Sequence, residues 1–82
     1  MQRIDLYDAL GDTYKGLKQF KRAIDFYRQG LTIAEKNQRS TKIIDLNSKI
    51  GESYANLNRE GIAEGFFNNS LSLSKKEAPQ RK

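Results

Sequence analysis

The sequence predicts an all-α protein of four helices, paired into two helix-turn-helix hairpins that stack as a short right-handed α-solenoid. Three observations predict this fold. Apolar residues recur at steps of three and four along most of the 82-residue chain, which is the period of an α-helix. No stretch alternates apolar and polar residues, so we expect no strand. Glycine, aromatic and alanine positions recur forty residues apart, as in stacked helical repeats.

The first two helices are predicted at residues 3–16 and 19–36, with a turn between them. Gly11 lies in the middle of the first helix, where glycine costs about 1 kcal/mol relative to alanine. A glycine at this position indicates that another helix backbone approaches closely. Ala23 and Gly30 are the small residues of the second helix that allow such an approach.

The third and fourth helices are predicted at 41–56 and 60–76. Ser40 and Thr41 end a polar loop, and both are good N-caps for the third helix. We expect one domain over 1–76, with repeat one at 4–37 and repeat two at 41–76. Residues 77–82 are expected to form a disordered tail.

The forty-residue repeat is carried by specific residue types. Leu10-Gly11, Tyr14, Ala23, Tyr27 and Leu31 recur as Ile50-Gly51, Tyr54, Ala63, Phe67 and Leu71. This pattern resembles the tetratricopeptide repeat family, whose positions the first repeat matches almost completely with Tyr7, Leu10-Gly11, Tyr14, Phe20, Ala23, Tyr27 and Gly30-Leu31. The second repeat departs at Asn47 and Glu60, where the first has Tyr7 and Phe20.

The repeat length is a further departure, because the family repeat is about 34 residues long. We place the six extra residues in the longer second helix and in the loop around 36–41. This length resembles the long-repeat branch of the family, which includes the LGN/Pins polarity scaffolds and Tonsoku-type chromatin proteins. The family resemblance implies a protein–protein interaction scaffold, and we expect the chain to be part of a longer array.

Composition excludes several functions. The chain has no cysteine and no histidine, which removes disulfides, Cys or His metal sites and the commonest general base. No glycine-rich phosphate loop is present. We therefore expect no enzyme activity, no cofactor and no metal. No apolar run reaches a membrane span, and MQRIDLYD lacks a signal-peptide core. An intracellular location, cytoplasmic or nuclear, is the expectation.

The resemblance implies that the first helix of each hairpin lines a concave groove. The matching residues are Asp5, Asp8, Asp12, Lys15, Asp45, Ser48, Lys49, Glu52 and Asn56. Asp5, Asp8 and Asp12 are also open to interpretation as an acid/base pair or a Mg²⁺ site, although one helical stripe of acids is more typical of a solvated face. Five acids against two lysines predict a negative groove, although the whole chain carries a net charge of +5.

The negative groove indicates the kind of partner. Family members that grip chaperone C-terminal carboxylates use lysine and asparagine at the positions of Asp8 and Asp12, and two aspartates would repel a carboxylate. We therefore expect a basic or polar peptide as the partner. The basic residues are placed on the outer surface and turn edge, and they include Lys18, Lys21, Arg22, Arg28, Lys36, Arg39 and Lys42.

Two other interpretations remain. The last helix keeps an apolar face with no helix after it, so the alternative function is a structural module that self-associates as a homodimer or larger assembly. The residues of that face are Phe66, Phe67, Leu71 and Leu73. Nucleic-acid binding through the basic second helix is less favoured, because few aromatic side chains would remain free to stack on bases. We expect no membrane contact.

Overall fold

The computed structural model describes residues 3–77, with the side chains of 3–75, and these residues form four α-helices. The helices are α1 (Ile4–Gly16), α2 (Phe20–Lys36), α3 (Ser40–Asn56) and α4 (Glu60–Glu77). Each helix packs on the next one in the sequence. The chain is therefore the short all-α solenoid of two hairpins that its periodicity predicts. Glu77 belongs to α4, and the rest of the predicted tail lies outside the described residues.

The three connections between helices share one geometry. Lys18, Gln38 and Asn58 each adopt a left-handed conformation, with φ of 63°, 56° and 62°. In the first turn, the Gln19 amide donates to the Tyr14 carbonyl at 2.9 Å, and the other two turns repeat this bond. This bond pattern is the Schellman motif, which satisfies the last carbonyls of a helix. The turns are thus equally short.

Equal turns explain the forty-residue period. Because the left-handed residues stand twenty positions apart, the period consists of two helix–turn units of equal length. The extra residues relative to the usual repeat lie in the helices. The prediction that some of them extend the loop around 36–41 is wrong.

The predicted N-cap of α3 is also wrong. The helix begins at Ser40, so the cap position falls on Arg39, and no side chain caps the helix. The Schellman turn is the cause, because it ends at Arg39 and directs that residue's carbonyl to accept the Ile43 amide at 2.9 Å. Ser40 is already inside the first helical turn.

The core lies where α2 is enclosed by α1 and α3. Tyr27, Leu46 and Ile50 are fully buried. The α1–α2 approach is close at Gly11, because a Cβ built there would lie 2.4 Å from the Tyr27 ring. The same arrangement recurs in the second hairpin, where a Cβ on Gly51 would lie 2.8 Å from the Phe67 ring. The sequence repeat is therefore also a repeat of packing.

The second hairpin replaces one packing contact of the first with polar groups. In the first hairpin, a Cβ on Gly30 would lie 3.3 Å from the Tyr7 Cβ. The matching residues are Asn47 and Ser70, and both are buried. The Ser70 hydroxyl donates to the Ile44 carbonyl at 2.7 Å. The Asn47 side-chain amide donates to the Ile43 carbonyl at 3.0 Å, so both buried polar side chains have hydrogen-bond partners.

The close approach at Gly11 leads to a testable difference between glycines. We expect Gly11→Ala to destabilise the protein by roughly 1–3 kcal/mol, because the new methyl group overlaps the buried Tyr27 ring. Gly65→Ala should instead stabilise it by about 1 kcal/mol, because nothing lies within 4 Å of the added atom and alanine favours the helix. Urea unfolding measures both. Equal effects of the two substitutions would contradict the packing described.

Candidate functional site

The candidate site is a set of charged side chains between α1 and α3. Helical spacing places four of them on one face of α1 and four on one face of α3. Ion pairs join the two faces, so α1 and α3 lie side by side. We call this set the charge ladder, and it consists of Asp5, Asp8, Asp12, Lys15, Lys42, Asp45, Lys49 and Glu52.

Lys49 is the centre of the charge ladder. Its Nζ lies 2.6 Å from a carboxylate oxygen of Asp8, 3.3 Å from one of Asp12 and 3.7 Å from one of Asp45. The side chain of Asp8 is only 12% exposed and that of Lys49 is 23% exposed. One half-buried cation therefore neutralises a buried carboxylate and attracts two exposed ones.

Two further lysines complete the ladder. The Lys42 Nζ lies 3.0 Å from Asp5 and 3.6 Å from Asp8, and Lys15 pairs with Glu52. The prediction that Lys42 belongs to the outer basic surface is wrong. Lys42 precedes Lys49 by seven residues, or two helical turns, so it lies on the same face of α3. That spacing is the signal in the sequence that identifies it.

Tyr27 connects the core to the ladder. Its ring is buried under Gly11, and its hydroxyl donates a 2.5 Å hydrogen bond to Asp12. The Nζ of Lys49 lies 5.8 Å from the centre of the same ring, within the range of a cation–π interaction. Among the described residues, no buried side-chain nitrogen or oxygen lacks a hydrogen-bond partner. The position of the ladder is therefore tied to the packing of α2.

The ladder alters the pKa values of its members. Burial by itself raises the pKa of Asp12, but the hydrogen bonds from Tyr27 and Lys49 outweigh it and hold that pKa below the ordinary value. Burial likewise opposes the charge of Lys49, yet its bond to Asp8 keeps the pKa of Lys49 above the ordinary value. Burial and the bond to Asp12 raise the pKa of Tyr27.

The charge ladder stays negative after pairing. Its five carboxylates and three ammonium groups sum to −5 + 3 = −2. Apart from the buried Asp8, the carboxylates are also the more accessible groups, because the side chains of Asp5 and Asp12 are 88% and 53% exposed while that of Lys42 is 35% exposed. The most exposed charged atoms of the charge ladder are therefore carboxylate oxygens.

Two of the predicted groove residues form hydrogen bonds outside the charge ladder. The Ser48 hydroxyl lies 2.8 Å from that of Ser70, so it contacts α4. Asn56 is exposed at the end of α3, and its amide donates to the Glu52 carbonyl at 2.9 Å. The structure does not bring Ser48 or Asn56 into the ladder.

The four residues predicted for self-association differ in exposure. Phe66 stacks on Tyr54 with ring centres 5.6 Å apart, and Leu73 is half-buried. Phe67 and Leu71 are 40% and 57% exposed. Only these last two present large apolar surface at the free side of α4.

The residues described include no group of three or more acids, histidines or cysteines placed to hold a metal ion. No helix in the same part of the chain is long and apolar enough to cross a membrane.

One comparison with known proteins matches the first hairpin. Residues 4–37 match the family model described as tetratricopeptide repeat. The first hairpin is therefore similar to a tetratricopeptide repeat, and the match covers less than half of the chain. Such repeats are non-catalytic and mediate protein–protein interactions. Neither the curated proteins nor the solved structures gave a match. The narrower resemblance to LGN/Pins-like or Tonsoku-like scaffolds stays a prediction.

The position of Lys49 predicts unequal roles for the lysines of the ladder. We expect Lys49→Met to cost roughly 1–3 kcal/mol of stability, because it leaves the buried Asp8 carboxylate without its closest cation. Lys15→Met should cost less than about 1 kcal/mol, because its partner Glu52 keeps 52% of its side chain exposed to solvent. Chemical unfolding of both variants checks this ranking, and a reversed order would contradict it.

The pKa shifts predict the pH dependence of stability. The lowered pKa of Asp12 stabilises the fold at pH values above 3.8, which is the ordinary pKa of an aspartate. This contribution is lost as the pH falls through the lowered pKa. The raised pKa values of Lys42 and Lys49 stabilise the fold at pH values below 10.5, which is the ordinary pKa of a lysine. This contribution is lost as the pH rises through the raised pKa values. We expect a plateau in the free energy of unfolding between about pH 5 and 9.

Asp12→Asn tests the acid side of that plateau. The variant should lose less stability than the parent between about pH 5 and 2, because the amide cannot be protonated there. Asp25→Asn, on the exposed side of α2, is the control and should follow the parent. An Asp12→Asn curve parallel to that of the parent would show that Asp12 does not contribute.

Proposed function

We propose that the chain is a protein-interaction module whose groove along α1 and α3 binds a basic or polar segment of a partner protein. The observation that carries this proposal is the charge ladder, which keeps exposed carboxylates and a net charge of −2 inside a chain of net charge +5. The tetratricopeptide repeat match supports the general class of function.

The ladder defines how such a segment would be held. Asp5, Asp12, Asp45 and Glu52 each keep about half or more of the side chain exposed. An exposed carboxylate that already pairs with a lysine still has free lone pairs, so it can accept a hydrogen bond from a second cation. Lysine or arginine side chains of the partner would therefore add to the ladder without breaking it.

The same charges disfavour an acidic partner. A C-terminal carboxylate entering this groove would meet Asp5 and Asp12 before it reached Lys42 or Lys49. The two lysine side chains are less exposed than these aspartates, and both already pair with carboxylates. Like charges placed together in this way oppose binding. The partner segment is accordingly basic or polar and does not place a C-terminal carboxylate in the groove.

The test is binding of a fluorescent basic peptide, such as Ala-Lys-Ala-Arg-Lys-Ala, measured by anisotropy. Asp5→Asn with Asp12→Asn should weaken binding at least five-fold, because the double variant removes the residual charge of the groove while keeping the acceptor for Tyr27. The affinity of the parent should fall as salt is raised.

A matched control keeps the overall charge equal. Asp25→Asn with Glu35→Gln removes two exposed carboxylates from α2, outside the ladder, and should bind like the parent. Equal loss in both double variants would mean that the net charge of the chain attracts the peptide, and the groove would not be its site.

A further inference from the structure

An open depression lies at the edge of the fold where α2 and α4 begin and α3 ends. Its volume is about 480 Å³, which falls within the range of about 300–1,000 Å³ that is usual for binding sites. Elements of both hairpins form it, so it is complete within the described part of the chain. We call this depression the basic pocket, and it is lined by Lys21, Ile24, Tyr54, Leu57, Arg59 and Ile62.

The floor of the basic pocket is apolar. Ile24 belongs to the buried core, and Tyr54 and Leu57 are partly buried against that core. Ile62 lies beside them but is 44% exposed. The pocket therefore combines a fixed apolar floor with one large apolar side chain that remains in contact with water.

The exposed Ile62 is a departure from the first hairpin. Arg22 stands forty residues earlier, and its guanidinium lies 5.7 Å from the centre of the Tyr14 ring. Tyr14 and Tyr54 are equivalent in the same way. The second hairpin thus has an isoleucine where the first places a cation beside its tyrosine, and apolar surface is exposed at the basic pocket as a result.

The charged residues of the basic pocket are all cations. Lys21 and Arg59 are exposed, and neither forms an ion pair with another of residues 3–75. A second depression shares Lys21 and Leu57 with the pocket and adds Lys18 and Arg22. No acidic residue lines either depression. This edge therefore attracts negative charge, in contrast to the charge ladder.

Two acids close in the sequence do not cancel this charge. Asp25 follows Lys21 by about one helical turn, and Glu60 follows Arg59 directly. Both are exposed, and within the described residues neither has a lysine or arginine nitrogen within 4.0 Å. The cations of the two depressions outnumber these acids, so the edge remains positive.

We propose that the basic pocket binds an acidic segment of a partner protein in which a leucine or phenylalanine is flanked by carboxylates. The apolar side chain would cover Ile62 and Leu57, and the carboxylates would pair with Lys21 and Arg59. An apolar anchor surrounded by complementary charges is the usual anatomy of a protein interface. Because Lys21 comes from the first hairpin and Arg59 from the second, a ligand with several carboxylates suits the pocket better than one with a single carboxylate.

The apolar floor favours a peptide over a nucleic acid. Bases bind by stacking on free aromatic faces, but Tyr54 already stacks on Phe66 with ring centres 5.6 Å apart. The exposed apolar residue of the pocket is the aliphatic Ile62. An acidic peptide with an apolar anchor uses both the cations and the floor, whereas a phosphate backbone uses only the cations.

The test is binding of a fluorescent, C-terminally amidated peptide, Gly-Asp-Glu-Leu-Phe-Glu-Asp-Gly, to the full chain. We expect saturable binding in fluorescence anisotropy. A matched peptide with serines in place of the leucine and phenylalanine should bind about ten-fold more weakly or less, because it lacks the apolar anchor. No saturable binding of the first peptide, or equal binding of the two peptides, would overturn the proposal.

Charge variants of the protein locate the contact. Lys21→Gln with Arg59→Gln should weaken binding about five-fold or more, while circular dichroism shows an unchanged fold. The control is Lys36→Gln with Lys75→Gln, which removes the same charge from exposed positions at the far ends of α2 and α4 and should bind like the parent. Equal loss in both double variants would mean that net charge alone attracts the peptide, and it would overturn the assignment to the basic pocket.

Ile62→Ser tests the apolar part of the site. Ile62 is exposed, so the variant should keep its fold and still lose about five-fold or more in affinity. The groove variant, Asp5→Asn with Asp12→Asn, should not weaken binding of the acidic peptide. Loss only in the groove variant would place the acidic peptide on the charge ladder and overturn the proposal. The basic peptide of the groove test should bind the Lys21→Gln, Arg59→Gln variant undiminished, so the two proposals fail separately.

Two further measurements address other occupants. A fluorescent thymidine decamer should bind more weakly than the acidic peptide. Tighter binding of the decamer that is lost in the Lys21→Gln, Arg59→Gln variant would assign the pocket to nucleic acid and overturn the proposal. In sedimentation velocity, association of the chain that the same variant abolishes would assign the pocket to a second copy, with the same consequence.

Discussion

The rest of the structure depends on the close approach of α2 to α1 at Gly11. Absence of a side chain there lets the Tyr27 ring lie against the α1 backbone, and this brings the tyrosine hydroxyl through to Asp12. One aromatic side chain thereby fills the core and orients a carboxylate at the surface. The remaining ladder contacts then follow from α3, which packs over the same ring and extends Lys49 to Asp8 and Asp12.

Periodicity predicted the helices well because their ends coincide with local chemical signals. Gly16, the Asn37-Gln38 pair and the Asn58-Arg59 pair interrupt the apolar pattern where the turns occur. The caps were less predictable. Glycine is the usual residue at the left-handed position of a Schellman turn, but here Lys18, Gln38 and Asn58 adopt that conformation. The residue types therefore did not predict a Schellman turn, or that Arg39 would occupy the cap position of α3.

The charge-ladder residues on α1 were predictable as one helical stripe, but their pairing with the stripe on α3 was not. Whether Lys42 points outward or towards Asp5 depends on the distance between α1 and α3, which is a tertiary quantity. Single-sequence reasoning assigned Lys42 to the basic exterior because it follows a polar loop. The hydrogen bond from the Tyr27 hydroxyl to Asp12 was likewise not predicted. An aromatic residue at a core position is expected to contribute its apolar ring, and its hydroxyl group is easily overlooked.

The packing of each helix on its sequence neighbour has a consequence for folding. Contacts that are local in sequence require little loop closure, so such chains fold quickly, and each hairpin is a candidate nucleus. The two hairpins differ in how much apolar surface they bury, because Tyr27 is fully buried in the first and Phe67 is 40% exposed in the second. Folding should therefore start at α1 and α2 and propagate along the chain, and in the native state α4 should open first. Amide exchange would show this as protection that decreases from the first hairpin to the last helix.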